Sequence, residues 1–291
     1  MKDKVKGKSK SKYKSKSSKI IVILGFIVAA ITLFPMYIMV VNSFKGRDQI
    51  FTDTLGLPKS LDFSYYLAAI DKMSFFQALL NSLTVTIIST VIIVVLSSMT
   101  AWALVRSSSK IADVVLMIFI VTMLIPFQSV MIPLMQYMNS WDISSINFSM
   151  INTFYGLIFM NVGFGSSLAI FLYHGFIKGV PRSLEEASMI DGCNKFQIFW
   201  KIVFPTLKPV TATVAILNVI GIWNDYLLPS LVLRDPNLRT IPLATFYFFG
   251  EFTIQWNMAM AGLVLTILPV IIFYLFSQKY IIKGFMAGAV K

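Results

Sequence analysis

Charge is what this chain has least of. Only 13% of its 291 residues are Asp, Glu, Lys or Arg, roughly half the share found in soluble domains, while 57% are hydrophobic and mean hydropathy is +0.77. That mixture excludes an ordinary soluble protein and points to an integral membrane protein. The single cysteine, Cys193, excludes an internal disulfide framework. The single histidine, His174, has no second His or Cys at ligand spacing, which argues against a metal site. No GxxxxGK(S/T) phosphate loop occurs, so the chain has no device of its own for holding ATP phosphates. A membrane-embedded enzyme would need paired acids, HExxH or a Ser/His arrangement within the apolar stretches, and none is present, so no catalytic residue is assigned. Ser166 and Ser167, after Gly163 and Gly165, have no base beside them and suit close helix contact.

What is abundant is long apolar sequence. Six stretches, at about 20–41, 77–104, 112–136, 154–177, 209–233 and 259–282, are each long enough to cross a bilayer as a helix. Runs such as Val85 to Leu96 lack the polar alternation of a membrane β-barrel, so the expected fold is an all-α six-helix bundle. The net charge of +12 does not indicate nucleic acid, because nine of the 25 basic residues are lysines in the first 19 positions. Residues 1–19 read as a disordered Lys/Ser/Gly tail suited to an anionic lipid surface. The apolar run that follows is too long for a secretory signal and reads as a retained span. If the tail is cytoplasmic, nineteen basic residues fall on cytoplasmic segments and six outside, consistent with the positive-inside rule. Both termini are then cytoplasmic, the segment 178–208 faces the cytoplasm, and Cys193 stays a reduced thiol.

That segment is the long polar stretch with the most ordered pattern. Ser183 and Glu186 form a capping-box signature after Pro181, Gly192 suits a left-handed helix stop, and Asn194 with Gln197 resembles a second start. A helix, a turn and a helix follow. In the second helix Phe196, Phe199, Trp200 and Val203 fall on one stripe, and Pro205 and Pro209 redirect the chain into the fifth span. Two readings fit the pattern. One is an amphipathic helix at the headgroup boundary. The other is a knob entering a groove on a cytoplasmic protein, with the stripe against the bundle and Glu186, Ala187 and Asp191 outward.

The order Glu186-Ala187-Ser188, three residues, Gly192, nine residues, then Ile202-Val203-Phe204-Pro205 resembles the EAA signature of bacterial ABC importer permeases. Ser188 and Phe204 depart from its second Ala and its Leu. The stretches 223–233 and 278–291, with Thr240-Ile241-Pro242-Leu243, resemble maltose-type carbohydrate permeases of the MalG-like or MsmG-like kind. The resemblance implies a type I importer (MetI-like) fold whose EAA loop is the coupling helix, with Glu185, Glu186, Ala187, Ser188, Asp191, Gly192, Ile202 and Pro205 in that segment. It also implies a homologous second permease (MalF-like), a cytoplasmic ATPase dimer that binds ATP and Mg, and an extracellular sugar-binding protein. The solute it implies is a di- or oligosaccharide.

Within the spans the polar inventory is thin. Asp225 is the clearest acid, near the outer end of the fifth span and four residues before Pro229, where it can reach water or cap backbone. Trp223, Asn224, Asp225 and Tyr226 combine aromatic faces with hydrogen-bonding groups and form the candidate substrate cluster. An ion-coupled secondary carrier, the competing class, would show several intramembrane ionisable groups and inverted repeats. Neither is evident. The loop 42–76, with an amphipathic stretch over Tyr65 to Ile70, is a candidate contact for the extracellular binding protein or a simple tether between spans.

Overall fold

The computed structural model describes residues 16–141, 148–249 and 255–289, and every regular element among them is helical. Four helices are long and apolar enough to cross a bilayer: α1 (Lys16–Asn42), α4 (Phe75–Arg106), α7 (Phe154–Ile177) and α14 (Trp256–Ala289). Between α1 and α4 lie α2 (Arg47–Thr52) and α3 (Ser64–Lys72), so the amphipathic stretch in the loop 42–76 is helical. The helix α1 already includes residues 16–19, which the sequence reading assigned to a disordered tail. Residues 1–15 of that tail lie outside the described residues.

The third and fifth apolar stretches are not the straight spans expected. Helices α5 (Lys110–Thr122) and α6 (Phe127–Asn139) meet at 104°. Each has 13 residues, about 20 Å of helix, too short to cross the hydrocarbon core alone. The break falls just before Pro126, which disfavours helical geometry at the residue preceding it. The fifth stretch enters from α9 (Lys195–Ile198), a π turn (Phe199–Val203) and α10 (Phe204–Thr206), then turns 79° into α11 (Lys208–Asn224). It ends at Asn224 rather than 233, because Asp225 is extended and starts a separate α12 (Leu227–Val232). Counting each bent pair as one span gives six.

The centre of the bundle is α4 against α7. In lipid, apolar side chains gain little by hiding from the solvent, so helices associate where small residues let backbones approach. The buried face of α4 carries Ser82, Thr86, Ser89, Ile93, Ser97 and Ala101 at three- and four-residue spacing. On α7, a Cβ added at Gly165 would lie 2.5 Å from Asn218 Oδ1 and 2.6 Å from Ile93 Cδ1. Ser167 Oγ lies 2.9 Å from Thr122 Oγ1, joining α7 to α5. The expected close contact thus rests on Gly165 and Ser167. Gly163 meets nothing within 4 Å, and the Ser166 hydroxyl donates back to Val162 O at 2.6 Å.

The chain after α12 is pinned to α4. Asn81 Nδ2 donates to Asn237 O at 2.8 Å and Arg239 O at 2.9 Å, and Ile241 N donates to Ser82 Oγ at 2.8 Å. These bonds seat α13 (Ile241–Thr245) and a 3-10 turn (Phe246–Phe248) beside the start of α14. Replacing Gly165 with Ala is expected to displace the ends of the Asn218 and Ile93 side chains and so destabilise the detergent-solubilised chain by up to about 1 kcal/mol. Gly163→Ala, in open space on the same helix, should be neutral or stabilise by up to about 1 kcal/mol, and equal melting shifts for the two would contradict this packing.

Candidate functional site

The EAA segment folds as a rigid hook at one end of the bundle. Its first helix, α8 (Ser183–Ile190), begins one residue earlier than the capping signature implies. Arg182 is already helical and occupies the N-cap, so Ser183 sits inside the first turn and makes no cap. Glu186 pairs instead with Arg182 at 3.6 Å, an exposed bridge that contributes well under ~1 kcal/mol. The stop is as expected. Gly192 has φ +82, Gly192 N donates to Met189 O at 3.0 Å and Cys193 N to Ser188 O at 3.0 Å. That is a Schellman closure, which satisfies the last carbonyls of α8 through a left-handed residue.

The second start is a complete capping box. Gln197 N donates to Asn194 Oδ1 at 2.9 Å and Asn194 N to Gln197 Oε1 at 2.9 Å. Immediately afterwards the helix widens to the π turn. Pro205 cannot donate to the carbonyl four residues back and its ring crowds that carbonyl. The widened turn, with Phe204 N bonded to Phe199 O, absorbs the proline without breaking the rod. Phe199 and Val203 are buried against α4 and α7, as the stripe predicts, and Trp200 is half-buried. Phe196 does not join them and is 64% exposed, because Ile198 takes the inward place in the short turn before the π segment. Phe204, in place of the signature Leu, packs its ring 5.0 Å from Trp200 and 5.8 Å from Phe199. Ile202 is half-buried and Pro205 exposed.

The two faces of α8 differ sharply. Glu186, Ala187, Met189, Ile190, Asp191 and Gly192 are exposed, and Ile190 reaches 87%. Ser188 faces inward and its hydroxyl donates to Leu184 O at 2.8 Å. Glu185 also faces inward and is 3% exposed. Its Oε1 accepts from Arg106 Nε at 2.8 Å and lies 2.7 Å from Arg106 Nη2, while its Oε2 accepts from Trp102 Nε1 at 3.0 Å. Arg106 Nη2 donates further to Val180 O at 3.1 Å. One carboxylate thereby holds the end of α4, the approach to α8, and α8 itself. Sequence reasoning singled out neither Arg106 nor Trp102. The signal was their four-residue spacing at the end of an apolar run, which puts both on one helix face.

At the opposite end, the Trp223–Tyr226 cluster divides. Asp225 Oδ1 accepts from Leu227 N at 2.9 Å and Leu228 N at 3.3 Å, capping α12. Asn224 Nδ2 donates back to Ile220 O at 2.9 Å. Trp223 and Asn224 line a cavity of about 290 Å³ with Thr86, Ile87, Pro269 and Phe273. Its wall is almost wholly apolar, which suits a hydrocarbon better than a sugar. Tyr226 packs tilted against Phe246, with ring centroids 4.6 Å apart. Among the described residues no three His, Cys, Asp or Glu side chains converge as a metal site.

Removing the Glu185 carboxylate would strand a guanidinium that is largely enclosed. For fully buried pairs such a loss costs about 3–5 kcal/mol. Arg106 keeps 18% side-chain exposure, so Glu185→Ala should cost nearer ~2–3 kcal/mol. Ser183→Ala, which removes no cap, should cost under ~0.5 kcal/mol. Thermal unfolding in detergent compares the two, and similar losses would contradict the assignment.

Comparison with known proteins gives a consistent result. A family model of the inner membrane component of binding-protein-dependent transport systems matches residues 93–286. A model of serpentine seven-transmembrane chemoreceptors matches residues 4–180, but the described residues of that stretch hold three unbroken apolar helices and one bent pair, short of seven spans. The chain is 48% identical, over 92% of its length and 95% of the relative's, to the probable starch degradation products transport system permease protein AmyC of Thermoanaerobacterium thermosulfurigenes. It is 33% identical, over 94% of its length and 97% of the relative's, to the melibiose/raffinose/stachyose import permease protein MelC of Bacillus subtilis. Its fold matches a chain in the crystal structure of a bacterial ABC transporter involved in the import of the acidic polysaccharide alginate, with a TM-score of 0.79, 23% identity and coverage of 93% and 99%. An all-α bundle with an EAA hook, a match over two thirds of its length to that family model and a near-half-identical permease relative together show that the chain belongs to the inner-membrane components of binding-protein-dependent transport systems, as an ABC importer permease and not an ion-coupled carrier.

Proposed function

We propose that this chain forms half of the membrane pathway of an ATP-driven importer for a di- or oligosaccharide in a bacterial cell membrane. The solute class is supported by relatives named for starch degradation products and for melibiose, raffinose and stachyose. A homologous second permease supplies the other half of the pathway, and an extracellular sugar-binding protein delivers the solute. ATP and Mg bind on a cytoplasmic ATPase dimer, since this chain has no phosphate loop. Both termini and the EAA hook face the cytoplasm, a reading supported by nineteen of 25 basic residues falling on that side.

The observation that carries the proposal is the two-faced α8. Its outer face combines Met189 and Ile190 with the carboxylates of Glu186 and Asp191, an apolar centre with a charged rim suited to a groove on a partner. Ala187 keeps that face shallow enough for close approach. The inner face carries Glu185, whose bonds to Arg106 and Trp102 link α8 to α4. When the ATPase subunits close, the hook moves with them, and the ion pair makes α4 follow. The Schellman turn, the capping box and the proline-adapted π turn hold the hook's shape, so that displacement is not lost in bending.

Gly192 tests this arrangement through the backbone geometry of the hook. A Cβ there would meet nothing within 4 Å, so only the left-handed φ of +82 opposes substitution. For a β-branched residue that conformation costs about 1–2 kcal/mol or more. Gly192→Val in the assembled transporter should lower sugar uptake at least ~5-fold at unchanged membrane abundance, while ATP hydrolysis persists. Gly192→Asn, which tolerates the left-handed region, should retain most uptake. Normal uptake by the valine variant would sink the coupling reading.

A further inference from the structure

The chain that leaves α1 doubles back along it. Side chains at the end of α1 and just past it bind three consecutive carbonyls. Lys45 Nζ donates to Asp53 O at 2.6 Å, Asn42 Nδ2 to Thr54 O at 2.9 Å and Tyr37 Oη to Leu55 O at 2.7 Å. As the donors step back down the helix the acceptors step forward in sequence, so residues 53–55 run antiparallel to α1. Asp53 Oδ1 also accepts from Gly56 N at 2.8 Å. This strap lies at the end of the bundle opposite the hook, because it precedes the start of α4, whose far end carries Arg106 to the hook.

Tyr37 fixes how deep the strap goes. It precedes Asn42 by about 7.5 Å along the helix axis, and helical side chains lean toward the N-terminus, which here is further into the membrane. The apolar part of α1, Ile21–Asn42, has 22 residues, about 33 Å, hardly longer than the hydrocarbon layer it crosses. Leu55 O therefore sits inside the border of that layer. Non-helical backbone is tolerated at such depth only where its polar groups are bonded. The clamp meets that need for three carbonyls and one amide in succession. A loop surrounded by water has its carbonyls bonded by water, yet this one encloses Lys45 at 0% exposure and Asn42 at 1% to bond them from within.

The outward side chains match that depth. Leu57 is 73% exposed, and Leu55, Leu61 and Phe63 are exposed as well. Lys59 is exposed among them, and a lysine stem can lie along apolar surface with its ammonium among phosphates. Beside the strap, α1 continues the same apolar surface, with no residue from Ile21 to Val40 buried. We propose that residues 53–63 form a wedge inserted into the leaflet opposite the hook, the outer leaflet on the orientation given above. Leu55, Leu57 and Leu61 meet acyl chains and Lys59 meets phosphates, so the partner of this surface is the phospholipid layer. A contact with the soluble binding protein would need the loop to stand clear of the membrane, whereas the clamp holds it down. The wedge sets the depth of α1, a helix whose span the bundle leaves unburied, and it does so whichever solute is carried.

The test is power-saturation EPR on the assembled transporter in phosphatidylethanolamine/phosphatidylglycerol liposomes, with native cysteines replaced and one nitroxide at Leu57→Cys, Leu61→Cys or Asp48→Cys. Asp48 is exposed on α2 and serves as the aqueous control. At 57 and 61 the ratio of oxygen to nickel-chelate accessibility should exceed that at 48 by at least ~3-fold, because the chelate stays in water. Two wedge positions keep the test open if one label disturbs assembly. Tyr37→Phe, which leaves Leu55 O without its donor, should raise chelate access at 57 about 2–5-fold and leave 48 unchanged. Chelate-dominated labels at 57 and 61 in the parent would overturn the wedge. Exclusion of both reagents would also overturn it: relief on omitting the binding protein would make the loop that protein's contact, and no relief would place it under the second permease. Unchanged access in Tyr37→Phe would overturn the clamp as what holds the wedge at depth.

Discussion

The hook of this permease depends on one buried ion pair. Glu185 is 3% exposed, and a carboxylate so enclosed is tolerable only because Arg106 and Trp102 fill its lone pairs from α4. Such a pair contributes little net stability compared with an apolar packing of the same shape. What it supplies is direction. Breaking it would expose two unpaired groups to a low-dielectric interior, so α8 and the end of α4 keep one relative placement. An apolar contact could slide, whereas a carboxylate bonded through both oxygens to a guanidinium and an indole has few other arrangements.

Around that pair the local devices act in series. The Schellman turn at Gly192 and the capping box at Asn194 and Gln197 fix the two corners of the hook. The π turn at Phe199–Val203 then admits Pro205, and a 79° bend sends the chain into α11. Phe199 and Val203 enter the same buried cluster as Ile93, Ala101, Tyr173 and Ile177. Ion pair and apolar cluster therefore fasten the hook to α4 and α7, the two helices whose close contact at Gly165 forms the centre of the bundle.

Much of this was legible in residue order. Apolar length located the helices, because a bilayer demands about 20 residues per crossing whatever their identity. Glycine, asparagine and proline at set offsets located the hook, because their backbone preferences are local. What was hidden depends on partners distant in sequence. Glu185 and Glu186 are adjacent and chemically identical, and only the packing of α8 on α4 decides that one is an anchor and the other is exposed. The capping signature at Ser183 failed because helix geometry began at Arg182, a shift of one residue that periodicity does not resolve. Asp225, placed by the sequence where it could reach water or cap backbone, does cap Leu227 and Leu228, while the end of the helix at Asn224 was hidden because hydropathy runs on through residue 233. The break before Pro126 was hidden by the same averaging.

The central claim is that α8 and the end of α4 move as one body when the transporter turns over. It is tested most directly by spin-label distances in the assembled transporter, with Cys193→Ser and labels at Met189→Cys on α8 and Ser107→Cys just past Arg106. The account predicts one narrow distance distribution, the same without nucleotide and with ATP bound, which broadens when Glu185→Gln is added. A distance that changes with nucleotide while the ion pair is intact would show that α8 moves independently of α4, and would contradict the account.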